Sequence, residues 1–375
     1  MKRVILFCLM LSIGFCFTAC TATDPNNLFE ITTTTPTDTM DGTMSSIGTT
    51  EHIQQSSNMN PIDYEVLEEV YQYGNMQKDG GFMRLGKYVL FTFLSDRGNR
   101  LYTYNLNTGK VHLYCEDATC THSNCIAGDI LFGLEVYGGK IYVTAGNFQV
   151  TEITDTEKVP ITSGQSFGFF HHDNALYVKT ADSSLAVLEA GSHEVRVLVD
   201  EYTASNQVIF DNYLYAISYD SFSRIDITAA EPKEELLLTN ASAITDGQHI
   251  YYVDRGTDLL YRCAMDGTGV ELLLDQPVHF VGINFDEEYF YFRLFTSEKY
   301  NYNEDSYDLY RFSKNDPSKV EKIATLPAPI GYIYTVPGTG KLFVTVYERS
   351  NGKQDDVYVL NTDGTHVIKL EIPEF

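Results

Sequence analysis

Residues 115–125 read CEDATCTHSNC, so three of the chain's seven cysteines and one of its nine histidines share one short stretch. Cys115, Cys120 and Cys125 offer thiolate sulfur and His122 offers imidazole nitrogen. That donor set suits a structural zinc ion, which takes four sulfur or nitrogen ligands in a closed tetrahedron. The same residues permit a second chemistry: in an oxidising compartment two of the sulfurs pair and one thiol is left over. Free structural thiols are the third option. Cys263 would make the count even, but it lies several repeats away, beyond the short Cα separation a disulfide demands. Cys120 and His122 would share a face of an extended segment, as a nucleophile and its base must, yet no third group that could orient the imidazole is visible. The expectation is a local staple of metal or sulfur at these four positions, and no catalytic set.

Three other stretches invite a chemical reading. Gly164-Gln165-Ser166-Phe167-Gly168 fits G-x-S-x-G, but the nucleophile elbow works by turning a strand sharply into a helix. With no helix expected there, the segment reads as a loop with two turn glycines. His171-His172-Asp173 reads as a polar turn between FGFF and ALYV, its adjacent histidines facing opposite sides. Asn301, Asn303 and Asp305 alternate oxygen ligands as a calcium loop does, although Ser306 stands where the sharp turn wants glycine. They are the candidate calcium ligands, against the alternative of a long solvated loop.

The elements that must position these residues follow from a repeat. A turn followed by an aromatic or alternating strand recurs as GKYVLF, GKIYV, NALYV, NYLYA, QHIYYV, EYFYF and GKLFV. The first apolar residues of these strands are Tyr88, Ile141, Leu176, Leu214, Ile250, Phe290 and Leu342, separated by 53, 35, 38, 36, 40 and 52 residues. A period of about 40 residues is that of a four-stranded propeller blade. Each unit continues with a strand such as LLYRCAM or DVYVLNT, a tight Asp-Gly or Asn-Thr-Gly turn, and a last strand. Those turns supply the positive-φ positions of short hairpins. The expected fold is all-β: a propeller of four-stranded blades, seven by the count of phrases, with six as the alternative. EVLEEVYQYG at 65–74 is either a helical turn or an extra strand that closes the ring. The chain contains 27 Tyr, 22 Phe and no Trp, and this aromatic load reads as packing between blades.

Within the repeat, IYYVDRGTDLLYRCAMDGTGVELLL (residues 250–274) resembles a YWTD repeat of low-density-lipoprotein-receptor type. Tyr251-Tyr252-Val253-Asp254 stands at the Tyr-Trp-Thr-Asp positions and Asp266-Gly267 at the Asp-Gly turn. Bacterial lipoproteins with such propellers also carry a Cys-x-Asp-x-x-Cys-x-His cluster, which residues 115–122 match. The resemblance covers 82–375 and implies the fold more than an activity. YWTD propellers have six blades, against seven phrases here.

The N-terminal part sets location. Lys2 and Arg3 precede an apolar run from Val4 to Phe17, the layout of a secretory signal and too short for a membrane span. Phe17-Thr18-Ala19-Cys20 resembles a bacterial lipobox, which implies removal of 1–19 and acylation of Cys20. Residues 20–60 are Thr/Ser-rich and too poor in apolar surface to fold, so they read as a tether ahead of a propeller over 61–375. The formal charge is −25 at pH 7. Such an acidic chain excludes nucleic acid as a partner and excludes adhesion to anionic lipid by charge. The partners expected are the membrane, through the N-terminal lipid, and an extracellular protein, peptide or glycan. The function expected is a non-catalytic binding or scaffolding module facing outside the cytoplasm. The alternative is a propeller enzyme of lyase or cyclase type with its site in the axial funnel. No cofactor is expected beyond a structural zinc.

Overall fold

The computed structural model describes residues 74, 75, 77, 81–95, 98–115, 117, 120, 125–189, 195–295, 306–347 and 356–373. Among these, the strands form seven four-stranded antiparallel sheets, each a meander of consecutive strands. Blade 1 spans 82–113, blade 2 130–160, blade 3 166–199, blade 4 206–239, blade 5 241–274, blade 6 284–325 and blade 7 330–369. The seven phrases are the second strands of the seven blades, so the count of seven holds. Helix among the described residues is limited to Gly74, Asn75 and one 3-10 turn at Phe280–Gly282. None of it is long and apolar enough to cross a membrane. Of 65–74, only Gly74 falls among the described residues.

The burial gradient follows strand order. First and second strands are largely buried, whereas the outer strands Val195–Val199, Glu234–Thr239 and Glu271–Leu274 are mostly exposed. Alternation explains the blade faces: one side chain packs on the preceding blade and the next on the following one. Arginine on the third strand directly opposes glutamate on the fourth at Arg224–Glu235, Arg262–Glu271 and Arg311–Glu321. Two of these arginines also reach forward. Arg262 Nη1 donates to Lys314 O in blade 6 (3.3 Å), and Arg311 Nη1 to Thr362 O in blade 7 (2.7 Å).

The chain itself crosses six of the seven junctions between blades. The seventh, between blade 7 and blade 1, has no such link, and no sheet among the described residues mixes strands from the two blades. It is sealed by packing and by a polar clip, Arg84 Nη1 donating to Pro337 O. Phe82 lies 4.7 Å from Tyr334 and 4.9 Å from Phe343, and Tyr104 meets Phe343 edge-on at 5.3 Å, in one cluster with Phe91, Tyr102 and Val357.

Candidate functional site

The cysteines lie on the connection that leaves blade 1 after Val111–Leu113 and enters blade 2 at Ile130. Its ends are pinned to the sheet: Tyr114 N donates to Leu101 O and Leu101 N to Ala127 O, at 2.9 and 2.8 Å. Lys158 Nζ, from the last strand of blade 2, donates to Gly128 O. Between these anchors the Sγ atoms of Cys115, Cys120 and Cys125 all lie within 4.8 Å of one another. Each residue is half-buried and none is in a disulfide. Burial pushes the Cys115 thiol up to about 11; a backbone hydrogen bond at Asp117 opposes this, and Cys125 and Cys120 add to the rise. A cation among the sulfurs would reverse that balance by stabilising thiolate. Sequence reasoning therefore brought together three residues that the structure also brings together. Cys263 is apart from them, buried in blade 5 and unpaired as expected. Cys20, His122, Asn301, Asn303 and Asp305 lie outside the described residues.

The axis of the ring holds an arrangement that sequence reasoning missed. First strands have no neighbour on their inner edge, so their inward N–H and C=O groups need partners from elsewhere. Residues ahead of blade 1 supply them. Asn75, 1% exposed, donates from Nδ2 to Phe82 O (2.6 Å) and Thr335 O (2.7 Å). Its Oδ1 accepts from Thr335 N (3.1 Å) and Asn284 Nδ2 (2.9 Å). Gln77, 3% exposed, pairs with both backbone groups of Thr245: Nε2 donates to O at 2.8 Å and Oε1 accepts from N at 2.7 Å. A carboxamide can do this because it carries the same donor and acceptor as a peptide group. The approach is close: a Cβ on Gly74 would overlap Asn284 Oδ1, and one on Gly81 would sit 2.7 Å from the Tyr334 ring.

The capped amides occupy one position in the repeat. Thr245, Phe285, Thr335 and His171 are the cross-strand partners of Ile250, Phe290, Leu342 and Leu176, the first apolar residues of their second strands. Their N–H groups donate to Gln77 Oε1, Asn284 Oδ1, Asn75 Oδ1 and Glu135 Oε1 respectively. The signal available in sequence was two amide residues set between Gly74 and Gly81, ahead of the first strand. No local pattern links them to strands 168 and 260 positions away.

His171 shows where the turn reading fails. It lies within the first strand of blade 3, which runs to His172, and the turn is Asp173-Asn174, both at positive φ. The adjacent histidines do face opposite ways. His171 is buried, with Nδ1 2.6 Å from Glu135 Oε2 and its ring stacked on Tyr137, whereas His172 is half-buried and meets exposed Asp173. Burial, helped by the Glu152 and Glu135 charges, pushes neighbouring Tyr142 up to about 12. Ser166 is likewise no loop residue. It opens that same strand, 1% exposed, near Thr162 Oγ1, a setting with no elbow geometry.

The end of the ring that carries the second-to-third-strand loops and the blade-to-blade connections bears a ladder of rings. The Arg255 guanidinium lies 3.6 Å from the centre of the Tyr219 ring and 4.6 Å from that of Phe280. Its Nη1 donates to Tyr219 O (2.8 Å) and its Nη2 to Tyr219 Oη. His279 stacks under Phe280 and against Phe295. Tyr219 caps the ladder at 65% exposure, held in place from below. These residues come from four separate connections, so their adjacency was not legible in the repeat.

No family model matches the chain, and no curated protein matches its sequence. Solved structures do resemble it. A puromycin-hydrolyzing peptidase of Mycobacterium tuberculosis is 10% identical at a TM-score of 0.54, with 82% of this chain and 56% of that one covered. A puromycin hydrolase is also 10% identical at 0.54, covering 80% and 55%. The chain thus spans just over half the length of these two hydrolases. At such identity the likeness concerns the fold alone, an all-β propeller.

Proposed function

We propose that this chain is a lipid-anchored binding module, acylated on Cys20, tethered through 20–60 and displayed outside the cytoplasm. Its ligand is a protein, peptide or glycan met on the loop-bearing end of the ring. The observation that carries this reading is the capped inner edge of the first strands. Asn75, Gln77, Asn284 and Thr335 are all buried and spend their polar atoms on backbone groups and on each other. An enzyme with its site in the axial funnel would need those groups for substrate. The Tyr219–Arg255–Phe280 ladder supports a binding surface instead, because a rigid exposed ring can stack on a sugar or peptide at little entropic cost. Affiliation with YWTD-type propellers belongs to this reading and rests on residues 250–274.

Two measurements test it. Cys20→Ala should release the protein from the membrane fraction or leave it unprocessed; unchanged retention without acylation refutes the anchor. Oligosaccharide and peptide libraries titrated against the detergent-solubilised full chain should yield a binder that is not chemically changed and that Tyr219→Ala weakens at least tenfold. Turnover of a probe, lost on substitution of axial residues, refutes the binding reading.

A further inference from the structure

Cys115, Cys120 and Cys125 stand apart from the axis and from the ring ladder, and the function proposed above makes no use of them. We propose that these three sulfurs bind one thiophilic divalent cation, zinc in class, and that the ion locks the seam where the propeller closes. The sulfurs converge as a set. One zinc ion with bonds of about 2.3 Å holds its sulfurs roughly 3.8 Å apart. The three here already lie within 4.8 Å of one another, so capture needs side-chain adjustments of about an ångström. A disulfide would draw two sulfurs to about 2.0 Å and would give the third no reason to converge. Thiolate donors select soft and borderline metals over calcium or magnesium, which prefer oxygen.

The place gives the ion its role. Cys115 and Cys125 pack against the cluster that joins Phe82, Phe91 and Tyr102 of blade 1 to Tyr334, Phe343 and Val357 of blade 7. That junction is the one the chain does not cross. Within the connection, Cys115 follows directly on Tyr114, pinned to Leu101, while Cys125 is two residues from Ala127, pinned to the same Leu101. An ion shared by the two cysteines and Cys120 closes the connection into a loop and holds one wall of the seam cluster. It requires nothing of what the loop-bearing end binds, so the two proposals fail independently.

The test uses the full chain purified in detergent. Elemental analysis should find one zinc per chain, and mass spectrometry should find Cys115, Cys120 and Cys125 reduced. Cadmium added to chelator-stripped protein should give a sulfur-to-metal charge-transfer band that saturates at one equivalent. Stripping should lower the unfolding midpoint by roughly 5 °C or more. It should also raise hydrogen exchange at Phe82–Leu85 and Ile330–Val336 more than in blades 4 and 5. Serine at any of the three positions should weaken binding at least tenfold, while Cys263→Ser should leave it unchanged. Should a serine variant fail to fold, the cadmium titration and the stripping shift on the unsubstituted chain decide. A disulfide between two of the three, or no metal retained at one per chain, overturns the site. An exchange response equal in every blade overturns the seam role.

Discussion

Blades 5, 6 and 7 meet one another differently from the way blade 7 meets blade 1. At the first two junctions the chain runs across, and a long arginine from each blade reaches a carbonyl of the next. A buried pair, Lys314–Asp246, adds to the contact between blades 5 and 6. The seam between 7 and 1 has no covalent link; beside one clip of the same kind, Arg84 Nη1 donating to Pro337 O, it relies on Phe82, Tyr104, Tyr334 and Phe343, with Asn75 spanning Phe82, Asn284 and Thr335. Where the backbone holds two blades together, polar clips suffice to set their angle. Where it does not, a clip is also present, and aromatic burial and a shared carboxamide are added to it.

The largest effect should come from the seam itself. Phe343→Ala removes a fully buried ring in contact with Phe82 and Tyr104 and should cost about 3–5 kcal/mol in denaturant unfolding. If it costs no more than an arginine clip, the distinction between junctions collapses. Asn75→Ala comes next, at about 2–4 kcal/mol, because it leaves Thr335 N and two carbonyls without partners inside the axis. Asn75→Asp sharpens the point: it keeps the shape but cannot donate, so it should recover little of that loss.

An intermediate effect belongs to blades 5 and 6 and to alkaline pH. Burial first, then Asp246 and Asp286, push Tyr251 and Tyr291 above the ordinary 10.0 of a tyrosine. The unfolded chain therefore ionises these phenols before the folded one does. Stability should be level below about pH 10 and fall above it. Thermal unfolding between neutral pH and pH 11 checks this, and phenylalanine at both positions should make the alkaline limb shallower, the remainder coming from other buried tyrosines such as Tyr142 and Tyr202. The smallest effects should be Arg262→Ala and Arg311→Ala, at about 1 kcal/mol or less each, since their glutamate partners are exposed.

Much of the architecture is legible in the sequence. Second-strand phrases such as QHIYYV and EYFYF mark every blade, because a half-buried strand needs alternation and a hairpin needs its turn residues; both are local requirements. The long first unit was legible as an insertion, since 115–125 fits no strand. The misreadings at His171 and Ser166 share a cause. Polar residues beside glycine look like loop, and only neighbouring blades reveal that Glu135 and Thr162 give them buried partners.

By itself the sequence determined the fold class, the repeat of seven phrases, the proximity of three cysteines and the acidic character, since each is written in spacing or composition; the structure chose seven blades over six. The tertiary structure alone decided that Asn75 and Gln77 cap first-strand edges, that Tyr219, Arg255 and Phe280 stack, and that the cysteines sit on the closing seam. Those pairings join residues far apart in the chain. Which open edge or ring they meet is fixed by how seven sheets close around one axis, and no local pattern encodes that closure.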